Sequence, residues 1–246
     1  MPLVSARALI LQAFPYSDTS KILRFYTLTH GLRSAIAKGA QRPKSRFGGL
    51  LEPFTEGDAL IFLKEGRDLH TLSGFDLLRS RQSLGRDLTA FAGASLLAEL
   101  LLRFGTEEPH PALFKVMSRS LDDIARTAQP GTEQAVLSGV WLVISLLGFQ
   151  PELDACVTCG RALDPQQSTR FDAGGGGVAC SNCRPHGRPL EASVRHELRR
   201  MLSGEPITGT IHQRATHRAL LRTFLAAHLA HEHPFRSLDL LMQQLS

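Results

Sequence analysis

The chain lacks several common catalytic signatures. No Gly-x-x-x-x-Gly-Lys-Ser/Thr run occurs, and the glycine run 174–177 leads into Val178, which excludes a phosphate-cradling P-loop. Gly-x-Ser-x-Gly and His-Glu-x-x-His are missing, and with them the commonest hydrolase and metalloprotease sites. No His has Glu two positions later, as a zinc deaminase requires. The chain therefore reads as a non-enzyme with no catalytic residues. A secretory signal is not expected either, because residues 9–11 are too short an apolar core before Gln12. The longest uncharged stretch, 134–151, approaches membrane-spanning length. Gln134, Ser138, Gly139, Ser145, Gly148, Gln150 and Pro151 interrupt or cap it, so it reads as a buried core helix in a cytoplasmic protein with no membrane partner.

Acidic residues are missing from one long front segment. Between Asp18 and Glu52 there is none, whereas Lys21, Arg24, Arg33, Lys38, Arg42, Lys44 and Arg46 all fall there. Residues 1–80 hold 11 Lys/Arg against 7 Asp/Glu, while the remainder is nearly balanced at 17 against 16. The formal net charge of +5 is thus a local property of the front of the chain. A block of one sign inside an otherwise mixed sequence points to a polyanionic partner.

With 43% hydrophobic and 21% charged residues over 246 positions, a packed core needs no disulfide staples. Five stretches (4–14, 21–28, 32–38, 59–64 and 69–75) are aliphatic, aromatic and β-branched and are separated by Gly or Pro, which predicts short strands. Turns are expected at 29–31 and 65–68. Five strands in so short a length suit a small barrel or sandwich, of which the OB-type barrel is one. From residue 84 the apolar period becomes helical, predicting helices at 84–104 (with Leu88, Phe91, Leu96, Leu97, Leu100 and Leu101 as its stripe), 111–128 and 133–147. The last is apolar almost all round and should lie at the centre. Further helices are expected at 191–202, 216–231 and 238–245. The fold class is α+β, with residues 1–80 as a β domain and 81–246 as a helical domain interrupted by a cysteine module at about 152–188.

All four cysteines lie in that module, as Cys156-x-x-Cys159 and Cys180-x-x-Cys183 with twenty residues between the pairs. This is the layout of a structural zinc site: each two-residue spacer aims two thiolates at one centre, and two such turns complete a tetrahedron. One zinc ion on Cys156, Cys159, Cys180 and Cys183 is the expected cofactor, with His186 the alternative fourth ligand. Residues 170–172 and 178–179 would form a hairpin turned by the glycine run. A redox role lacks its βαβ context, disulfides do not suit a reducing cytosol, and catalytic zinc needs an open coordination position.

Residues 38–49 carry Lys38, Arg42, Lys44 and Arg46 among Gly and Pro, which makes a loop suited to phosphate binding. Phe25, Tyr26 and Phe47 are near enough in sequence to stack on bases, although at least one of Phe25 and Tyr26 should face the core. Arg195, Arg199 and Arg200 form a weaker basic face, either an extension of the footprint or a solvated helix surface. His228, His231 and His233 read as surface or core-edge histidines rather than as a metal site.

Residues 31–54, with Ala-Lys-Gly at 37–39 followed by the basic stretch, resemble the signature of the RecO family. Residues 7–11 and 16–20 are similar to that family's first strand and turn, 151–160 with Cys180 and Cys183 to its zinc module, and 236–241 to its closing helix. The resemblance implies an N-terminal OB-fold, a helical zinc-bearing domain and a nucleoid-associated role in DNA repair and recombination. It further implies binding of single- and double-stranded DNA, annealing of complementary strands, and work with RecR to load RecA onto strands coated by single-stranded-DNA-binding protein. Lys38, Arg42, Lys44 and Arg46 would contact DNA, with Lys21, Arg24 and Arg33 as lesser contacts. The rival readings are an enzyme using catalytic zinc and a zinc-ribbon adaptor in transcription or translation.

Overall fold

The computed structural model describes residues 2–207, 209–230 and 233–245, which group into two compact units. The first comprises residues 1–87 and 97–126, and the second 88–96 and 127–246. The class is α+β, with eight strands and six α-helices among the described residues.

In the first unit, β1 (Leu3–Pro15), β2 (Lys21–Thr27), β3 (Gly31–Ala37), β4 (Glu56–Phe62) and β5 (Leu69–Arg79) appear where the composition predicts strands. Each strand has two hydrogen-bonded neighbours, so the sheet closes into a barrel in the order β1-β2-β3-β5-β4. All pairings are antiparallel except β3 with β5, which run parallel through Ser34, Ala35 and Ile36 against Leu69, His70 and Thr71. A bulge between Ile10 and Gln12 bends β1 so that it can pair on both sides. Inward residues Ile10, Leu23, Phe25, Ile61 and Leu72 fill the interior, all about 1% exposed.

Helix α2 (Pro111–Arg126) belongs to this unit as well. It contributes Ser118 and Asp122 to a buried ionic knot around Arg81. The Arg81 guanidinium donates to Glu56 at 3.0 Å, Asp122 at 2.7 Å, the Ser118 hydroxyl at 2.9 Å and the Phe54 carbonyl at 2.9 Å. The last bond helps hold Phe54 at a φ of 68°, a left-handed conformation unusual for a bulky residue. Removing one partner of such a pair leaves an uncompensated charge, at a cost of about 3–5 kcal/mol.

The stretch expected to be a single helix from residue 84 is divided. A 3-10 turn at Gln82–Arg86 ends in extended Asp87, and α1 runs over Leu88–Phe104. Leu88 and Phe91, expected in its stripe, are 62% and 40% exposed, and the alanines Ala90, Ala92 and Ala94 are buried instead. Small residues are needed here: a Cβ at Gly93 would lie 2.3 Å from Val136 within the second unit.

That second unit is built on α3 (Thr132–Leu146), in which Val136, Leu137, Val140, Trp141, Val143 and Ile144 are all fully buried, as an all-round apolar helix requires. It packs with α4 (Ala192–Ser203) and α5 (Arg214–His228), and the unit also holds α6 (Arg236–Gln244) and a small sheet ordered β7-β6-β8. Its strands are β6 (Thr169–Asp172), β7 (Gly177–Ala179) and β8 (Arg188–Leu190). The β6–β7 hairpin is the one predicted around the glycine run. The third strand goes beyond the sequence expectation: Pro189 at its centre argues against a strand and is tolerated because β8 lies at the sheet edge. Among the described residues, no helix is long and apolar enough to cross a membrane.

Candidate nucleic-acid interface and metal centre

Residues between β3 and β4 form the basic loop, and they are ordered by a run of tight turns. Backbone N–H groups of Ala40, Arg42, Ser45, Gly48 and Leu50 donate to the carbonyls of Ala37, Gly39, Arg42, Ser45 and Phe47. Positive φ at Gly48 and Gly49 (43° and 82°) lets the chain double back so tightly. Two apolar anchors then pin it: Phe47 and Leu51, 1% and 2% exposed, enter the barrel core. Each is worth roughly 1.5–3 kcal/mol as buried side chain. With the anchors turned inward, Lys38, Arg42, Lys44 and Arg46 are all exposed.

The seven cations expected to contact DNA separate into two groups. Among the described residues, none of Lys38, Arg42, Lys44 and Arg46 has an acidic partner; Arg46 lies 5.1 Å from the centre of the Phe47 ring. The other three are engaged. Lys21 pairs with Glu52 at 2.9 Å, Arg33 pairs with Glu107 at 2.8 Å, and Arg24 donates to the Leu102 carbonyl at 3.3 Å.

The expectation that Phe25, Tyr26 or Phe47 would stack on bases is overturned, as each is about 1% exposed. Phe25 points into the barrel. Tyr26, on the opposite face of β2, is covered by the segment around Gly105, within the same unit. Burial raises the Tyr26 pKa, against the opposing pull of a hydrogen bond to the His110 backbone. The exposed aromatics of the barrel are instead Tyr16 at 60% and Phe14 at 37%.

The basic face read on 191–202 does not form. Arg195 is completely buried and donates to the Asp164 carbonyl, Arg199 pairs with Asp154 at 2.5 Å, and Arg200 lies 3.8 Å from Glu205. His228 bonds the Ala173 carbonyl at 2.5 Å and packs on Phe224, as a core-edge histidine does. His231 lies outside the described residues.

In the second unit the four cysteines converge, with all sulfurs within 4.8 Å of one another. Each pair sits on a tight turn, in which Gly160 N–H donates to the Cys156 carbonyl at 2.8 Å and Arg184 N–H to the Cys180 carbonyl at 3.1 Å. The two turns are laced together. Cys180 N–H donates to Cys156 Sγ at 3.3 Å, and Val157 N–H to the Val178 carbonyl at 2.9 Å. The lacing needs a glycine, because a Cβ at Gly177 would stand 2.3 Å from the Glu152 carbonyl oxygen.

The donor set fits a metal ion. Hydrogen bonding from the Cys180 backbone pulls the Cys156 thiol down to about 6, while bonds to Cys180 and Cys159 push Cys183 up to about 12. Four thiols this close cannot all ionise without a cation among them. Zn–S bonds of roughly 2.3 Å would place tetrahedral sulfurs about 3.8 Å apart, which the 4.8 Å limit on their separation admits. His186 is exposed and not part of the group. Arg161, missed in the sequence reading, hydrogen-bonds Cys180, which raises its own pKa and sets a positive charge beside the thiolates.

Family models match most of the chain. The recombination protein O N-terminal model matches residues 1–81, and its C-terminal counterpart matches 85–239. The chain is similar to the DNA repair protein RecO of Anaeromyxobacter sp. (strain K), 32% identical over 93% of this chain and 92% of that one. It is also similar to the protein of that name from Rubrobacter xylanophilus, at 32% identity over 94% and 93% of the two chains. The same holds for the one from Prosthecochloris aestuarii, at 31% over 98% and 97%.

Proposed function

The chain belongs to the RecO family of DNA repair proteins, and on that premise we propose that it is a recombination mediator that binds single- and double-stranded DNA through its basic barrel loop. The observation that carries this reading is the ordered loop holding Lys38, Arg42, Lys44 and Arg46 exposed and, among the described residues, without acidic partners. Cations already paired have little left to give a phosphate, so Lys21, Arg24 and Arg33 are the lesser contacts. On this reading residues 1–80 are an OB-type DNA-binding domain, which the closed five-strand order and the parallel β3–β5 pair support. Residues 81–246 are the helical domain, and the module at about 152–188 holds one structural zinc on its four cysteines.

The protein acts without chemistry of its own. Annealing needs no nucleophile: a basic surface lowers the repulsion between two phosphate backbones, and base pairing supplies the driving force. The family resemblance supports RecR and the single-stranded-DNA-binding protein as partners, RecA loading as the outcome, and a cytoplasmic location on nucleoid DNA.

The test is a titration of labelled single-stranded DNA at several salt concentrations. The double variant Arg42→Glu/Lys44→Glu weakens binding to all sequences alike and flattens the plot of log affinity against log salt by about 1 to 2. A slope equal to wild type would show that the loop is not the footprint.

A further inference from the structure

We infer that Tyr16 is a base-stacking residue for unpaired DNA, latched to the cationic loop by Gln41; the inference rests on the DNA-binding reading above. A single-strand binder combines a basic track for phosphates with aromatic faces for bases. The barrel supplies the first in its β3–β4 loop, yet the aromatics nearest that loop in sequence are sealed in the interior.

Tyr16 fills the gap. It opens the turn between β1 and β2, a turn closed on itself by the Tyr16 N–H donating to the Ser20 carbonyl at 2.9 Å. Its side chain is 60% exposed, and Phe14, two residues earlier, is 37% exposed.

The turn does not stand alone, because Gln41 of the basic loop grips it at three carbonyls. The Gln41 side-chain amide donates to Ser17 at 3.0 Å and Ser20 at 2.9 Å, and its backbone N–H donates to Thr19 at 3.0 Å. Gln41 is the immediate neighbour of Arg42, so these bonds seat the tyrosine turn against the residues offered to phosphate. Asp18 is the one acid in the turn, set against four cations in the loop. A ring so placed meets a base whose own phosphate is held next door. A duplex keeps its bases stacked inside and offers that ring nothing, so Tyr16 favours single strands.

The full-length protein is titrated with a labelled oligothymidylate, with the same strand made abasic, and with a duplex. Tyr16→Ala weakens oligothymidylate binding by a factor on the order of ten, with the salt slope unchanged. It leaves abasic-strand and duplex affinities at wild-type values, which also reports an intact loop. Tyr16→Phe retains tight binding, and Gln41→Ala loses part of it. Wild-type affinity for oligothymidylate in Tyr16→Ala, or equal losses on the normal and abasic strands, would overturn the stacking role. Failure of the wild-type protein to bind any of the three probes would overturn the DNA-binding reading itself.

Discussion

Glu197 shows how one side chain organises its surroundings in the second unit. It sits on α4, nearly buried, and accepts from His217 Nε2 at 2.8 Å, from the His212 backbone N–H at 2.9 Å and from His212 Nδ1 at 2.6 Å. Burial pushes the Glu197 carboxyl up, but these donors together outweigh it and hold the group below its ordinary value. Burial also lowers the His217 pKa below 6.5, and the attraction of Glu197 only partly offsets this. His217 is therefore held neutral, with Nε2–H donating and, among the described residues, a buried Nδ1 without a partner. Both groups bind fewer protons folded than unfolded, so both contribute stability at neutral pH that is lost on acidification. For His217 the loss begins as pH falls through about 6.5, at up to about 1.4 kcal/mol per pH unit, and Glu197 adds its share below about 4.5. Urea midpoints measured from pH 7 to 5 should fall accordingly, and His217→Gln should flatten the dependence. An equal slope in that variant would place the acid sensitivity elsewhere.

At the level of elements, the cysteine module joins very short strands to a cluster of four thiols that could hold a metal ion. Three strands of three or four residues bury too little to order a segment of this length, and the backbone bonds between the two turns are few. On the structural-zinc reading proposed above, an ion held by the four cysteines would supply part of the local folding free energy. Cys156→Ser, or stripping with a strong chelator, should make the 152–188 segment cleavable by protease and lower the unfolding midpoint of the protein. Elemental analysis should give one zinc per wild-type chain. DNA affinity should change far less, because the exposed cations of the basic loop belong to the other unit. A metal-free variant of undiminished stability would refute the structural role. The basic loop is ordered by consecutive turns and two buried anchors.

Across the whole molecule, a net charge of +5 matters only through where unpaired charge is displayed. Lys21 and Arg33 belong to the same acid-free stretch as the loop, yet Glu52 and Glu107 neutralise them locally. Lys21→Gln/Arg33→Gln removes as many charges as a double loop neutralisation. It should nevertheless weaken single-strand binding by less than about threefold and leave the salt slope near wild type, because phosphates release counterions only to cations that replace them. A slope reduced as far as in Arg42→Gln/Lys44→Gln would extend the footprint across β2 and β3. The same titration series separates the two sets.

Patterns of short range were legible from the residues alone. Runs of aliphatic, aromatic and β-branched residues between Gly and Pro gave all five barrel strands to within a few positions, and the spacing of Cys156, Cys159, Cys180 and Cys183 gave the cluster, because a two-residue spacer constrains thiol direction whatever surrounds it. The acid-free stretch likewise located the basic loop. Tertiary structure decided what depends on distant partners. Phe25 and Tyr26 are both buried because β2 is covered on its two faces, which alternation on one strand cannot reveal. Glu52 reaches Lys21 across 31 positions, and the Leu102 carbonyl reaches Arg24 across 78, so sequence could not tell paired cations from free ones. Arg195 looked like a surface charge on an amphipathic helix until its helix packed with that side turned inward. Local periodicity fixes which elements form; which faces they cover, and which charges remain for a ligand, is settled only when those elements pack.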